Sequence, residues 1–496
     1  RTLAWRRWVD ASRRWVGAWR RWVDAHAVTL TAVLATAALV LRALLVIESP
    51  TPFGYVWDFY TDGVRVLYNQ GRLPLAADCW QCAQPPLFYV LGLPFYALGR
   101  WLSPGPGDAL ALRFVGGLAM SCAGVTVYYG YRLLRLFRCR GASLVAGMAL
   151  LLIFPCLFIS SYAPESDIVL TAVMSAFGYY LARYVGRARG SGLGARGRGT
   201  AGSAFGARGS GTGAWWAWLR SDVVKIGVLA GLAAATKYSG LAAILSAGLV
   251  FTWLLARGPH RGRAVRDGLL VLVLCGAVGG WKYVDNHRRY NEWLQANGSS
   301  AQGFSVTASR SHGAPYEFTT MRLRELRTLM GPRPPAGSLT SFPVYQSVPT
   351  TLHALAWSDM SFFSVPSRHG DPSRPYPRKL IPIDVTMSVI VLGFVPEALA
   401  ALGFVVTLRR RAFAPLAVLT VVSIAAYVWW FLPQASWALK TKYLLFLLPP
   451  FVLYAVVGLG WLNRQAPVVG LIASTLLVAL VIVAHVYLYA FAVGRL

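Results

Sequence analysis

Residues 27–47 read AVTLTAVLATAALVLRALLVI, twenty-one positions with one charge and neither proline nor glycine. A helix of that length rises ~30 Å at 1.5 Å per residue, which matches the hydrocarbon core of a bilayer. Runs of the same kind recur along the chain and end in basic clusters. Over all 496 residues, 56% are hydrophobic, and 14% are charged, against about 25% in an ordinary soluble domain. The mean hydropathy is +0.49. A soluble fold cannot hide so much apolar surface, and a disordered chain would not contain it. The class that remains is an all-α polytopic membrane protein.

Lys and Arg total 48 against 19 Asp and Glu, a formal charge of +29. Only six of the 48 are Lys, and the Arg residues gather at the ends of apolar runs. The positive-inside rule and anionic membrane lipids account for that distribution without a nucleic-acid partner. Residues 1–26 carry a seven-residue repeat, Trp5-Arg6-Arg7-Trp8-Val9-Asp10-Ala11, varied from Ser12 to Ala18 and repeated from Trp19 to Ala25. As a helix this places Trp8, Trp15 and Trp22 on one stripe and Arg on the other. An amphipathic helix on the cytoplasmic interface is expected there.

Charge then orients the remaining segments. The span 27–47 leaves the basic N-terminus, so the polar stretch 48–108 is an outer loop. Within it, 85–102 is broken by Pro85, Pro86 and Pro94 and is expected to be a juxtamembrane helix. That choice puts Arg132, Arg135, Arg138 and Arg140, after the run 109–131, on the inside. Spans over 142–161 and 168–185 lead to a Gly/Arg/Ser-rich cytoplasmic loop, 186–214, of flexible composition. A hairpin over 222–256 turns outside near Lys237, and the span 267–284 ends the N-terminal membrane module, 27–284. A polar outer segment, 285–385, follows. The C-terminal helices, 386–496, supply spans at 386–408, 412–432, 443–462 and 467–490, about eleven in all. Asp58, Asp62, Asp78, Gln84, Glu165, Asp167, Lys237, Lys440 and Lys442 are left on the outer face, where chemistry is to be sought.

The first outer loop reads Tyr55-Val56-Trp57-Asp58-Phe59-Tyr60-Thr61-Asp62-Gly63 and later Gln84-Pro85-Pro86-Leu87. A carboxylate just past the first span, followed by a Pro-Pro-Leu helix start, resembles the GT-C glycosyltransferases, membrane enzymes that take a sugar from a polyprenyl-phosphate carrier. They include the protein O-mannosyltransferases and the aminoarabinose transferases. The resemblance implies a GT-C-type bundle and inverting transfer to an acceptor hydroxyl at the outer, periplasmic face of a bacterial inner membrane. It implies an Asp general base at Asp58. Phe59 stands where the family commonly has Glu, which leaves Asp62 as a rival base. A second acidic position, for acceptor or metal, falls on Glu165 or Asp167 in Ala163-Pro164-Glu165-Ser166-Asp167. Thr236-Lys237-Tyr238 and Lys440-Thr441-Lys442-Tyr443 resemble elements that hold the carrier phosphate, and Gln84 stands where the aminoarabinose transferases have Lys.

The residue types suit that chemistry on their own terms. An acceptor hydroxyl needs one carboxylate to take its proton, while a phosphate leaving group needs fixed cations. The bland alternatives are also local: Asp58, Asp62, Glu165 and Asp167 as helix caps, and the Lys residues snorkelling at helix ends. The acceptor, whether lipid, glycan or protein, is not specified, and a divalent metal is a possible cofactor. Cys79-Trp80-Gln81-Cys82 is expected to close as a local disulfide in an oxidising compartment rather than hold zinc. His353 and Asp359 of the large outer segment are expected to be structural. The competing function is a secondary transporter or lipid flippase, which would favour ionisable groups near mid-membrane and internal repeats.

Overall fold

The computed structural model describes residues 2–48, 60–79, 81–105, 107–161, 164–188, 221–258, 260–294, 317–329, 347–358, 382–431 and 441–493. Asp58, Asp359 and Lys440 lie outside these residues, as do most of the expected loop 186–214 and much of the outer segment 285–385. The described residues are helical. In chain order they form α1 (Thr2–Glu48), α2 (Tyr60–Gln70), α3 (Leu87–Leu102), α4 (Ala109–Leu136), α5 (Gly141–Ile153) and α6 (Pro155–Ser160). Next come α7 (Ser166–Ala188), α8 (Asp222–Thr236), α9 (Leu241–Arg257), α10 (Arg261–Cys275) and α11 (Trp281–Tyr290). The chain finishes with α12 (Leu323–Leu329), α13 (Val348–Trp357), α14 (Ile383–Thr407), α15 (Ala414–Ala426), α16 (Leu448–Gln465) and α17 (Pro467–Val493). An isolated bridge between Glu317 and Ser347 is the only extended pairing among them.

Nine stretches among the described residues are long and apolar enough to cross a membrane, and Leu87–Leu102 and Gly141–Ile153 are shorter apolar helices. Over the segment 85–102, expected to be juxtamembrane, the chain forms α3, a 16-residue helix. Two expected crossings come out shorter than a full span. The segment 142–161 is split because Phe154 turns extended (φ −60°, ψ 111°) before Pro155, whose ring fixes φ and which has no N–H to donate. The first arm of the hairpin, α8, has 15 residues and is about 22 Å long, less than a hydrocarbon core of about 30 Å. At the N-terminus no break separates the Trp/Arg repeat from the first span. Both belong to α1, a 47-residue helix.

The basic turns meet at one end of the bundle, as the charge pattern requires. The Asp24 carboxylate of α1 accepts from the Ala142 amide at 2.8 Å. Phe137, just past α4, packs on Phe413 with ring centroids 4.3 Å apart. The Tyr184 hydroxyl of α7 donates to Asp267 of α10 at 2.8 Å. Asp222, which opens α8, is paired with Arg183 and Arg187 of α7. Towards the opposite end, α1 is tied to α5 by a buried cation: Arg42 donates to the Leu152 carbonyl at 3.1 Å and lies 4.8 Å from the Phe158 ring centroid.

The C-terminal helices pack through small residues. At the α14–α16 crossing, a Cβ on Gly403 would meet the Tyr454 carbonyl group, and would lie 2.9 Å from the Gly458 nitrogen. Close backbone approach of this kind is how membrane helices gain dispersion contact without a hydrophobic drive between them. Replacing Gly403 by Leu should therefore cost about 1–3 kcal/mol through overpacking. Gly460→Ala is the control, since a Cβ there meets only the tip of Arg464 at 3.9 Å. Unfolding in detergent should show a lowered midpoint for the first variant and an unchanged one for the second.

Candidate active site

Three stretches far apart in sequence bring charged side chains together at the end of the bundle away from the basic turns. The first is Glu165 with Asp167 in the opening turn of α7, where the helix dipole favours a carboxylate. The second is Lys237. There α8 stops because Lys237 takes extended backbone (φ −161°, ψ 151°), and a single 3-10 turn, Tyr238–Gly240, starts α9. Only glycine fits at 240, because a Cβ would strike the backbone of Ala233. The third is the 3-10 segment Thr441–Leu447, which presents Lys442 and Tyr443 before Pro449 and Pro450 open α16.

The four charges pair with one another. Lys237 Nζ lies 2.7 Å from Asp167 Oδ1, and Lys442 Nζ lies 2.7 Å from Glu165 Oε2 and 4.0 Å from Asp167 Oδ2. The Tyr443 ring covers Lys237, whose Nζ is 4.2 Å from its centroid. No side chain of the four is more than 9% exposed. Among the described residues the cluster joins two lysines and two acids, all nearly buried.

Around it the segment between α2 and α3 is pinned. Tyr238, next to Lys237, donates to the Ala83 carbonyl at 2.9 Å and accepts from Asn286 Nδ2 at 3.2 Å. Gln84 therefore sits one residue from a loop anchored beside the cluster. The Tyr89 hydroxyl holds the Gln81 carbonyl at 2.5 Å, and Cys79 and Cys82 form a disulfide in the same turn. Further out, Arg72 forks onto Asp78 at 2.7 and 2.9 Å, and that contact holds the Asp78 carboxyl below its usual range.

Asp62 belongs to a different network. Its carboxylate receives Arg65 at 2.7 Å, and Arg65 also reaches Asp108 at 2.6 Å. Partial burial pushes the Asp108 carboxyl up, but the Arg65 contact outweighs it and the net shift is downward. Of the residues picked from sequence, Glu165, Asp167, Lys237, Lys442 and Tyr443 are brought together. Gln84 follows Ala83, which accepts from Tyr238, and Asp62 is tied to Arg65, while Asp58 and Lys440 lie outside the described residues.

Sequence reasoning missed Tyr238 and Asn286 as supports, and it missed Glu397. Within α14 the Glu397 carboxylate is 2.7 Å from His353 Nδ1 and accepts from Trp357 Nε1 at 2.9 Å, while His353 Nε2 contacts the Ile390 carbonyl at 2.8 Å. His353 is thus the structural residue expected, and it fastens α13 to α14. In turn α13 reaches the cluster, since Thr441, beside Lys442, donates to the Leu352 carbonyl at 2.5 Å. A lone acid after Pro396 in an apolar run was the available signal. Glu397→Leu should cost about 1–3 kcal/mol in thermal unfolding, because it strands the buried His353 and Trp357 donors. Glu397→Gln should recover part of that loss.

Among the described residues no three His, Cys, Asp or Glu side chains gather into a cation site; Glu165 and Asp167 each hold a lysine, and Asp167 Oδ2 is buried with no hydrogen-bond partner among them.

No family model matches the sequence, and no curated protein matches it. Among solved structures, the chain is similar to ArnT from Cupriavidus metallidurans bound to undecaprenyl phosphate, with 15% identity and a TM-score of 0.49 over 94% of this chain and 75% of that one. It is also similar to the Archaeoglobus fulgidus oligosaccharyltransferase in complex with zinc and sulfate, with 13% identity and a TM-score of 0.48 over 92% of this chain. The match spans 53% of that longer enzyme.

Proposed function

We propose that the chain is a GT-C-type glycosyltransferase that moves a sugar from a polyprenyl-phosphate carrier to an acceptor hydroxyl, at the periplasmic face of a bacterial inner membrane. The observation that carries this reading is the buried cluster of Glu165, Asp167, Lys237 and Lys442 at the end of the bundle opposite the basic turns. In the reaction, Asp58 takes the acceptor proton as the acceptor oxygen bonds to the anomeric carbon from the face opposite the phosphate. The bond from that carbon to the phosphate oxygen breaks, and its electron pair leaves with the carrier phosphate. Inversion follows from the single displacement.

As that bond breaks, a phosphodiester becomes a monoester and gains negative charge. Fixed ammonium groups in a site closed to water stabilise such charge more strongly than solvent does. Lys237 and Lys442, with Lys440, are suited to this role, and Glu165 and Asp167 hold the first two in place before the substrate arrives. The carrier's lipid tail would lie between spans, which gives a sugar transferase a reason to be so apolar.

The test is transfer itself. Purified protein in liposomes receives a panel of radiolabelled polyprenyl-phosphate sugars and a crude envelope acceptor, and label should move to the acceptor. Neither transfer nor donor hydrolysis with any sugar, in protein shown to be folded, would overturn the reading.

A further inference from the structure

We infer that the groove between α9 and α10 binds an anionic phospholipid, with one acyl chain in the groove and the head group on Arg257 and Arg261 of the turn that joins the helices. The inference does not depend on the transfer reading, because its test reads bound lipid and not product.

Two glycines open the groove. At Gly248 of α9 an added Cβ would meet nothing within 4 Å, and at Gly268 of α10 it would touch the Phe251 side chain at 3.4 Å. A cavity of about 280 Å³ stays open between the helices, walled by Gly248, Thr252 and Leu255 on one side and Val265, Leu269 and Leu272 on the other. Phe251 is buried beneath it and packs on Tyr184 of α7, with ring centroids 5.3 Å apart. Leu255, Leu269 and Leu272 are exposed, so the groove opens away from the bundle. Both helices belong to stretches long and apolar enough to cross a membrane, Tyr238–Arg257 and Arg261–Tyr290. The open side therefore faces hydrocarbon. An unfilled groove there would forfeit dispersion contact along its whole lining, and an acyl chain restores it.

Charge selects the lipid. The groove runs ~10 Å along the helices and ends within about one turn of Arg257 and Arg261. Residues 257–267 carry four Arg and one acid, Asp267. Asp267 is held by Arg263 at 3.5 Å, by Arg266 at 2.8 Å and by the Tyr184 hydroxyl at 2.8 Å. Arg257 and Arg261 are both exposed, one on each side of the turn. Basic positions between membrane helices at the end where basic turns gather attract anionic head groups. A phosphate at the level of this turn satisfies the arginines while its chain fills the groove. A zwitterionic head would bring its own cation against them. The polyprenyl carrier fits less well, because Lys237, assigned to its phosphate, lies 20 residues from Arg257, ~30 Å along the helix.

The full chain, purified in mild detergent and stripped of lipid, is titrated with palmitoyl-oleoyl phosphatidylglycerol or phosphatidylcholine, and bound lipid is counted by native mass spectrometry. Wild type should bind phosphatidylglycerol about ten-fold more tightly than phosphatidylcholine. Arg257→Gln/Arg261→Gln should erase that preference and leave phosphatidylcholine binding unchanged. Gly248→Leu fills the groove without displacing a neighbour and should weaken both lipids about ten-fold. Gly124→Leu adds the same side chain on α4, where a Cβ also meets nothing within 4 Å, and should bind as wild type. If Gly248→Leu does not fold, Thr252→Phe on the same wall carries that arm. Wild-type affinity in the groove-filling variant overturns the inference, as does equal loss in Gly124→Leu, which would mark a general lipid shell. A wild type that shows no preference for phosphatidylglycerol overturns it too. Displacement of phosphatidylglycerol by an equal concentration of undecaprenyl phosphate would assign the groove to the carrier and overturn it as well.

Discussion

Asp167→Ala is expected to destabilise the protein by about 3–5 kcal/mol, the cost of removing one member of a buried ion pair. Asp167 is 1% exposed and Lys237 5%, so solvent cannot take over the lost contact. The variant removes the carboxylate on which Lys237 rests at 2.7 Å, and also the second carboxylate near Lys442, at 4.0 Å. The penalty comes from leaving the buried Lys237 ammonium without this carboxylate. The double variant Asp167→Ala/Lys237→Met should therefore recover much of the loss, because it removes both members of the pair. A double-mutant cycle on unfolding midpoints in detergent reads the coupling directly. A single variant within about 0.5 kcal/mol of wild type would show that the pair carries no such weight.

Asp58→Ala should lower the rate of sugar transfer by about 10²–10⁴-fold, the usual contribution of a general base, with donor binding little changed. That split is diagnostic. A base acts on the acceptor proton in the transition state, so its loss falls on turnover, whereas a lysine on the carrier phosphate would alter donor affinity too. Asp62→Ala is the matched comparison. Asp62 rests on Arg65, which keeps Asp108 as a second partner, so its loss should loosen the first outer loop and leave transfer within a few-fold of wild type. Loss of transfer in Asp62→Ala alone would move the base to Asp62 and leave the enzyme class intact.

The two experiments differ in what they draw on. The reading of Asp58 comes from its place just past the first span. The energetics of Asp167 come from a contact that no local pattern announces. Lys237 and Asp167 are 70 residues apart, and Lys442 and Glu165 are 277 apart. From sequence these residues fell into two groups, acids for the acceptor side and lysines for the carrier phosphate. Folding pairs the groups with each other. Local sequence signals for a cap, a span end or a basic turn report a residue's immediate backbone, and every member of this cluster also satisfies one of those bland descriptions.

Glu397 makes the same point from the other side. An acid within an apolar helix is conspicuous in sequence, yet its meaning depends on His353 and Trp357, which arrive from α13, 44 and 40 residues away. Pro155 works the other way, since a proline is a local instruction. The break it enforces after α5 could have been read from the sequence, and the expected span 142–161 passed over it.

Sequence alone determined the class of this protein, and it marked its basic turns and, among the described residues, the Glu165, Asp167, Lys237 and Lys442 that meet away from them. Each of these follows from apolar length and charge, quantities summed over a local window and unaffected by what the window packs against. Only the tertiary structure decided that Lys442 rests on Glu165, that Lys237 rests on Asp167 under the Tyr443 ring, and that Glu397 is satisfied by His353 and Trp357 of α13. The reason is the steepness of short-range electrostatics in a medium closed to water. A buried charge must find its partner within a few ångströms, and which partner comes that close is set by how the helices cross.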